Sequence, residues 1–315
     1  LCYAEFAAMI PVSGSAYSYS YATLGEFVAW FVGWNLILEY LFAGATIAVG
    51  WSGYVVSLMD QFGLHMPDAL TNAPFTKGEG HWELVRTGAL VNLPAVLIVC
   101  VITALSYVGI QQSSRFNGVV VAIKVTVIVL FIGFGAWYVQ GANWDPFIPP
   151  NAGPGRFGLS GVVTAAGIIF FAYIGFDAVS TAAQETRNPQ RNMPIGILVS
   201  LAICTVLYIG VAAVLTGMVP YQELNTPAPV AMALDRYPGL NWLAGWVKMG
   251  AIAGMTSTML VMLLGQPRIF YSMAKDGLLP PVFGKVHPKF KSPSFSTLLT
   301  GALAAAIAGA LTVTI

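Results

Sequence analysis

Charged side chains occur inside the apolar stretches of this sequence, where they could bind ions or transfer protons. Lys124 is the clearest case, within RFNGVVVAIKVTVIVLFIGF. It follows Arg115 by nine residues, roughly 13 Å along a helix, which puts it near mid-membrane and too deep to reach water easily. An ionisable group there costs about 2.5–3.5 kcal/mol, so it normally faces a bundle interior. We expect Lys124 to exchange a proton, or else to form a permanent contact with a carboxylate or helix carbonyls.

A second unusual stretch, FFAYIGFDAVSTAAQE, has Gly175 and Asp177 where an apolar span should continue. Glycine weakens a helix by about 1 kcal/mol relative to alanine, and an aspartate can bond to the N–H groups that a local break sets free. Irregular backbone at membrane depth is tolerated only where it lines a cavity or is packed in protein. A break here would offer carbonyls to a cation and amides to an anion. A glycine kink that serves helix packing is the alternative.

Two more groups of residues could take part in binding. Glu39 shares a helix face with Ala43, Thr46 and Gly50, a stripe of small residues that suits either close helix packing or the approach of a substrate. The run Thr256–Thr258 places three hydroxyls in an otherwise apolar helix. Such hydroxyls usually bond back to their own helix, but three together could also coordinate an ammonium or a sodium ion.

The elements that must position these residues are membrane spans. Hydrophobic residues make up 57% of the 315 residues and charged residues 9%, against about a quarter charged in soluble domains. Apolar runs long enough to cross a bilayer predict one membrane domain over 1–315. It has a half span at 1–10 and full spans near 26–60, 88–110, 116–140, 160–186, 194–219, 241–274 and 294–315. Both ends stop within apolar runs, so we expect an internal piece of a longer bundle.

Charge and motifs restrict the function classes. A net charge of +1 gives no basic field for nucleic acid, and the short basic loops, such as ETRNPQRNMP, mark the cytoplasmic face. The three histidines lie in loops, and the sequence has neither H-E-x-x-H nor G-x-S-x-G. The three cysteines show no metal-ligand spacing. We therefore predict no enzyme, no metal and no cofactor.

Three separated blocks of the sequence carry a family resemblance. CYAEFAAMIPVSGSAYSYSY, FFAYIGFDAVSTAAQETRNPQRNMP and GQPRIFYSMAKDGLLPPVFGKVHPKFKSP together resemble the amino acid-polyamine-organocation superfamily, in particular its cationic amino acid transporter branch and their bacterial homologues. The resemblance implies an all-α integral membrane protein with a LeuT-type fold of two inverted five-helix repeats. The chain would cover about helices 2–9 of that fold and be incomplete at both ends.

The resemblance also implies a site. Backbone carbonyls at the helix break would hold the substrate ammonium, and an aromatic side chain would close over it; the residues that correspond are Phe171, Ala172, Ile174, Gly175 and Phe176. Asp177 would support the break. Lys124, paired with Ser257 or Thr258, would occupy the place that sodium takes in sodium-coupled relatives and would couple transport to protons. Further residues on the pocket side would be Glu39, Ala43, Thr46 and Met255.

The function that follows from the resemblance is transport. We expect proton-coupled secondary active transport of L-amino acids across the plasma membrane by alternating access, with cationic substrates such as arginine and lysine, and neutral ones such as alanine as well. A membrane sensor that uses the same site without transport is the alternative. The expected partners are the amino acid, protons and membrane lipids, with a small accessory membrane subunit left open.

Overall fold

The structure of the chain is a computed structural model. It describes residues 2–10, 14–77, 84–108, 114–153, 155, 157–175, 186, 188–226, 228–290 and 292–311, with backbone alone at 114–117 and 171. Two of the predicted site residues, Phe176 and Asp177, lie outside the described residues.

Helices dominate the described part of the chain. The α-helices are α1 Cys2–Met9, α2 Ser15–Leu24, α3 Glu26–Gln61, α4 Asp68–Thr71, α5 Leu93–Val108, α6 Ser114–Gly135, α7 Gly158–Ile169, α8 Pro189–Met218, α9 Pro229–Asp235, α10 Asn241–Lys275 and α11 Ser294–Ala310. Short 3-10 segments occupy Ala136–Tyr138, Gly141–Trp144, Phe170–Tyr173, Tyr221–Glu223, Pro238–Leu240 and Pro281–Gly284. The helical prediction is therefore confirmed in its coarse form.

The loop after α3 departs from an all-α architecture. It holds the short helix α4 and an antiparallel hairpin of β1 Phe75–Lys77 and β2 Leu84–Arg86, in which Phe75 lies opposite Arg86. The sequence FTK and LVR alternates in character and carries β-branched residues, which suit a pleated strand. From hydropathy the segment is predicted only as a polar loop, because a three-residue strand is too short to give a periodic signal.

Four segments of the described residues are long and apolar enough to cross a membrane: Glu26–Gln61, Gly118–Tyr138, Pro189–Met218 and Pro238–Lys275. Three shorter apolar helices, α5, α7 and α11, coincide with the other predicted full spans. The half span predicted at 1–10 is occupied by α1. Helix α2 was not predicted; it lies between Gly14 and Gly25, both of which have positive φ angles.

The span predicted at 160–186 is not one continuous α-helix. Helix α7 ends at Ile169, a 3-10 turn continues to Tyr173, and Gly175 follows with a φ of +113°. Side chains other than glycine's rarely adopt that φ. The backbone therefore leaves the α-helical region just before Gly175, within the predicted span and next to the residue at which the sequence suggested a break.

The bundle is centred on α3 and α10, which make the most extensive contact between any two described elements. Glycines permit this closeness. A side chain added at Gly44 would meet Leu263, and one added at Gly265 would meet Tyr40. Helices α5 and α11 pack beside this pair and share a buried cluster with it, which includes Ala48, Val99, Met259 and Ala304. Helices α6 and α8 form a second wall against α10.

Candidate functional site

The 3-10 turn Phe170–Tyr173, called here the end of α7, directly follows the helix and carries backbone carbonyl groups that can accept hydrogen bonds. One of them, the carbonyl of Ala172, accepts a hydrogen bond of 2.7 Å from the hydroxyl of Tyr208 on α8. Next to it, the hydroxyls of Tyr173 and Thr205 lie 3.1 Å apart. The rings of Tyr173 and Tyr208 meet edge to face with centroids 5.1 Å apart. Helix α8 therefore contacts the end of α7 twice, through the Ala172 carbonyl and through the Tyr173 side chain.

The residues that follow this end face the central helix pair. Ile174 packs against the buried cluster to which Met262 of α10 and Tyr40 of α3 belong, and Ala43 packs against the same cluster. A Cβ added to Gly175 would lie 3.1 Å from the terminal methyl of Met262. Ile174, Gly175 and Ala43, which the family resemblance had assigned to one substrate site, thus all adjoin the same buried cluster.

Lys124 lies on α6 and reaches α10. Its Nζ donates a hydrogen bond of 3.2 Å to Thr258 Oγ1, and its aliphatic stem covers Gly254, where an added Cβ would lie 2.9 Å from the lysine Cε. The hydroxyl proton of Thr258 is already directed to the carbonyl of Gly254, at 3.0 Å. Among the described residues no carboxylate lies within 4.0 Å of the lysine amine. The ammonium therefore has a neutral acceptor rather than an ion-pair partner in this part of the chain.

The three neighbouring hydroxyls of α10 differ in the contacts that they make with other helices. Each bonds back to its own helix: Thr256 to Ile252, and both Ser257 and Thr258 to Gly254. Thr256 also accepts a bond of 2.9 Å from the indole N–H of Trp51. Of the two hydroxyls that the resemblance offered to Lys124, Thr258 makes the contact and Ser257 is buried on its own helix.

A cavity of about 280 Å³ opens beside Lys124. Its lining includes Lys124 and Thr258, the apolar face of α6 and α8, and the predicted residue Met255. Tyr54 of α3 and Val230 of α9 lie at the end nearest the loops that are poor in basic residues, where they pack in one cluster with Met255. The cavity thus reaches from the lysine towards the short helix α9.

An ion pair between a buried lysine and an exposed aspartate anchors α9 on that side. Lys248 of α10 is 1% exposed, and its Nζ lies 2.8 and 3.0 Å from the two carboxylate oxygens of Asp235. The same amine is 3.4 Å from the carbonyl of Ser57 on α3. One lysine therefore links α3, α9 and α10 above the cavity. The sequence places Lys248 near the end of a predicted span, but it does not indicate the contact with Asp235.

The remaining predicted residues are less closely tied to the site. Glu39 and Thr46 are half-buried on α3, and the described contacts do not bring either one to the lysine cavity. Met255, Thr258 and Met262 share one face of α10, since they follow at spacings of three and four residues. That spacing is a signal by which Met262 could have been found. Tyr208 could have been noticed as a polar side chain in an apolar span, three residues after Thr205.

The geometry can be compared with known proteins. The family model for amino acid permeases matches residues 1–314. The chain belongs to the amino acid permease family. The resemblance to the amino acid-polyamine-organocation superfamily is thereby confirmed. With its apolar helices and this family membership, the chain is part of a multi-pass membrane protein.

Three relatives illustrate the range of the family. The chain is 51% identical over 308 residues to the methylthioribose transporter of Bacillus subtilis and 48% identical over 307 residues to the branched-chain amino acid permease BcaP of the same organism. It is 38% identical over 307 residues to the vacuolar cationic amino acid transporter 4 of Arabidopsis thaliana. These matches cover 98%, 97% and 98% of the chain, but 63%, 63% and 49% of the relatives. The chain thus spans less than two thirds of their length.

Proposed function

We propose that the protein is a secondary active transporter that moves L-amino acids across the cell membrane together with protons, by alternating access. The observation that carries the proposal is the contact of Lys124 with Thr258 inside a membrane-spanning bundle. Family membership supports transport as the general activity rather than enzyme catalysis. The proposal includes the LeuT-type arrangement, with the chain as about helices 2–9 of that fold in one domain.

Proton coupling follows from how poorly the charge of Lys124 is compensated. An ammonium group has three N–H donors and no acceptor, and within the described part of the chain the Lys124 amine donates to a single neutral hydroxyl, at 3.2 Å. Among the residues that the structure describes, no carboxylate lies within 4.0 Å of that amine, and an unpaired charge is costly to bury. The amine can therefore gain or lose a proton as the cavity beside it changes its access to water. Changing between the two forms would favour different packing of α6 against α10.

The substrate site is proposed at the end of α7. The carbonyls of Phe171, Ala172 and Ile174 would take the ammonium of the amino acid, since a helix C-terminus attracts cations. Ala43 and Met262 would contact the substrate, Phe176 would close over it and Asp177 would support the break. Glu39 is the candidate for attracting a cationic side chain. Met255, about two turns before Met262 on the same face of α10, would connect this site with Lys124.

The class of amino acid is a separate part of the proposal. We expect cationic substrates such as arginine and lysine, with neutral ones such as alanine also accepted. The relatives are named for methylthioribose, for branched-chain amino acids and for cationic amino acids. A substrate panel should therefore contain L-arginine, L-lysine, L-alanine, L-leucine and methylthioribose. Arginine and lysine uptake that is competed by alanine supports the proposed class, and uptake of methylthioribose alone contradicts it.

The test of coupling uses the protein reconstituted into liposomes with an imposed pH gradient. Lys124→Met keeps a side chain of similar length without the proton. We expect it to lose accumulation driven by the gradient while it retains exchange of labelled amino acid in counterflow. Thr258→Val should weaken coupling in the same direction. Ser257→Ala is the matched control, because it removes a neighbouring hydroxyl that bonds only to the carbonyl of Gly254 among the described contacts.

The outcomes separate the alternatives. Accumulation by Lys124→Met equal to that of the wild type would exclude proton coupling through this lysine. A wild-type protein that binds amino acids but shows no counterflow would be a membrane sensor instead of a transporter.

A further inference from the structure

Tyr208 makes a contact with the proposed substrate site that neither the resemblance nor the sequence analysis assigned. Its hydroxyl donates a 2.7 Å hydrogen bond to the carbonyl of Ala172, one of the groups proposed to hold the substrate ammonium. Val211, three residues later on α8, lines the cavity beside Lys124. Tyr208 therefore lies within one helical turn of the lysine cavity and in direct contact with the end of α7.

The direction of the hydrogen bonds at this contact can be worked out from the donors available. The hydroxyl proton of Thr205 is directed to the carbonyl of Leu201, at 2.8 Å, so Tyr173 is the donor in its 3.1 Å contact with Thr205. The carbonyl of Ala172 can only accept, so Tyr208 is the donor there. Both tyrosine protons are thus committed, one to a side chain of α8 and one to the backbone of α7.

A tyrosine hydroxyl whose proton is committed can only accept further hydrogen bonds. The oxygen of Tyr208 therefore offers a lone pair beside the carbonyl that it binds, and a carbonyl oxygen has two lone pairs of its own. The edge-to-face contact with Tyr173 restricts the ring of Tyr208. The hydroxyl oxygen of Tyr208 and the carbonyl oxygen of Ala172 are thus two acceptors held 2.7 Å apart. This arrangement suits a donor with several N–H groups.

We infer that Tyr208 is a positioning residue of the ammonium subsite: its hydroxyl fixes the direction of the Ala172 carbonyl and adds one acceptor for a primary ammonium group. The inference rests on the proposed function, because it assigns the ligand of that same site. The site would recognise one feature of the substrate, namely three N–H donors on one nitrogen. A secondary ammonium, with two N–H donors, can use one acceptor fewer.

The experiment measures binding to the purified protein, independently of transport. The probes are L-alanine with N-methyl-L-alanine, and L-arginine with Nα-methyl-L-arginine. Tyr208→Phe keeps the ring against Tyr173 and removes the hydroxyl. Thr205→Val is the matched control, since it removes a hydrogen bond between the same two helices without touching the Ala172 carbonyl.

We expect Tyr208→Phe to weaken binding of the primary amines about fivefold, the effect of one lost hydrogen bond. The methylated amines should lose less, so the preference for the primary amine should fall about threefold. Thr205→Val should leave that preference unchanged. An equal loss for both amines, the same effect from Thr205→Val, unchanged binding or tighter binding would each overturn the inference.

Failure of the inference is distinguishable from failure of the proposed function. If the wild type binds none of the four probes, the proposed amino acid site and the inference fall together. If the wild type binds them and Tyr208→Phe behaves as the wild type does, only the assignment of Tyr208 falls.

Discussion

The ion pair between Lys248 and Asp235 predicts an unequal response to the loss of its two partners. Lys248 is 1% exposed, whereas the Asp235 side chain is 42% exposed. Asp235→Asn leaves a positive charge in a site from which water is nearly excluded. Lys248→Met instead leaves a carboxylate that water can reach. We expect Asp235→Asn to destabilise the protein more than Lys248→Met does, although both variants remove the same pair.

The magnitudes follow from the two exposures. Removing one partner of a buried pair costs about 3–5 kcal/mol when the remaining charge stays buried. For Asp235→Asn we expect about 3 kcal/mol, the lower end, because the amine keeps the Ser57 carbonyl at 3.4 Å. The remaining carboxylate in Lys248→Met is solvated as in a surface pair, whose loss costs about 0–1 kcal/mol. The two variants should differ by about 2 kcal/mol.

The assay is equilibrium unfolding of the purified protein in detergent micelles, followed by tryptophan fluorescence, for the wild type, both single variants and the double variant. The double variant should be close to Lys248→Met, because the uncompensated charge is gone. Lys285→Met is the control for loss of an exposed lysine. The reasoning is refuted if Lys248→Met is the more destabilised variant, or if the double variant is as unstable as Asp235→Asn.

Two further predictions concern other contacts of the bundle. Tyr17, which is 1% exposed, donates a 2.7 Å hydrogen bond to Asp276, so Tyr17→Phe should cost about 1.5 kcal/mol. Burial raises the pKa of Tyr17, and the hydrogen bond and charge of Asp276 raise it further. The folded protein thus keeps a proton that the unfolded chain loses above pH 10.0. Wild-type stability should therefore fall with rising pH in that range by more than the stability of Tyr17→Phe does. Unfolding midpoints measured from pH 8 to about 11 test this prediction, and equal slopes for the two proteins contradict it. Gly301→Ala would place a methyl group against the Thr103 side chain and should cost about 1–3 kcal/mol. Thr103→Ala should restore the unfolding midpoint, while Gly245→Ala, where an added Cβ meets nothing within 4 Å, should not lower it.

Long spans could be predicted closely from the sequence. The predictions 26–60 and 241–274 compare with Glu26–Gln61 and Asn241–Lys275, because a long apolar run between polar loops has few alternatives to a helix in a membrane. The short helices α2 and α9 and the hairpin could not be predicted from hydropathy. They lie in polar segments, where contacts with the bundle decide the backbone. Buried Tyr17 on α2 is one such contact.

The candidate site shows the same division. The importance of Lys124 could be predicted, since a lysine nine residues into a span has to find a partner inside the protein. Which hydroxyl it meets could not. Ser257 and Thr258 differ by one position, about 100° around a helix, and the rotation of α10 against α6 selects Thr258. The sequence also indicated that a helix is interrupted near Gly175, but it could not indicate the hydrogen bond from Tyr208 to the Ala172 carbonyl, because that bond depends on how two consecutive helical segments pack.

Composition and the order of motifs alone determined that this is a helical membrane protein of the permease family, because apolar length and polar boundaries act locally along the chain. The tertiary structure decided which side chains meet. Lys124 with Thr258, Tyr208 with Ala172 and Lys248 with Asp235 each join different elements. Such contacts depend on how helices rotate and approach one another. That packing results from close fits such as Gly44 against Leu263 and Gly265 against Tyr40, which have no periodic signal in the sequence.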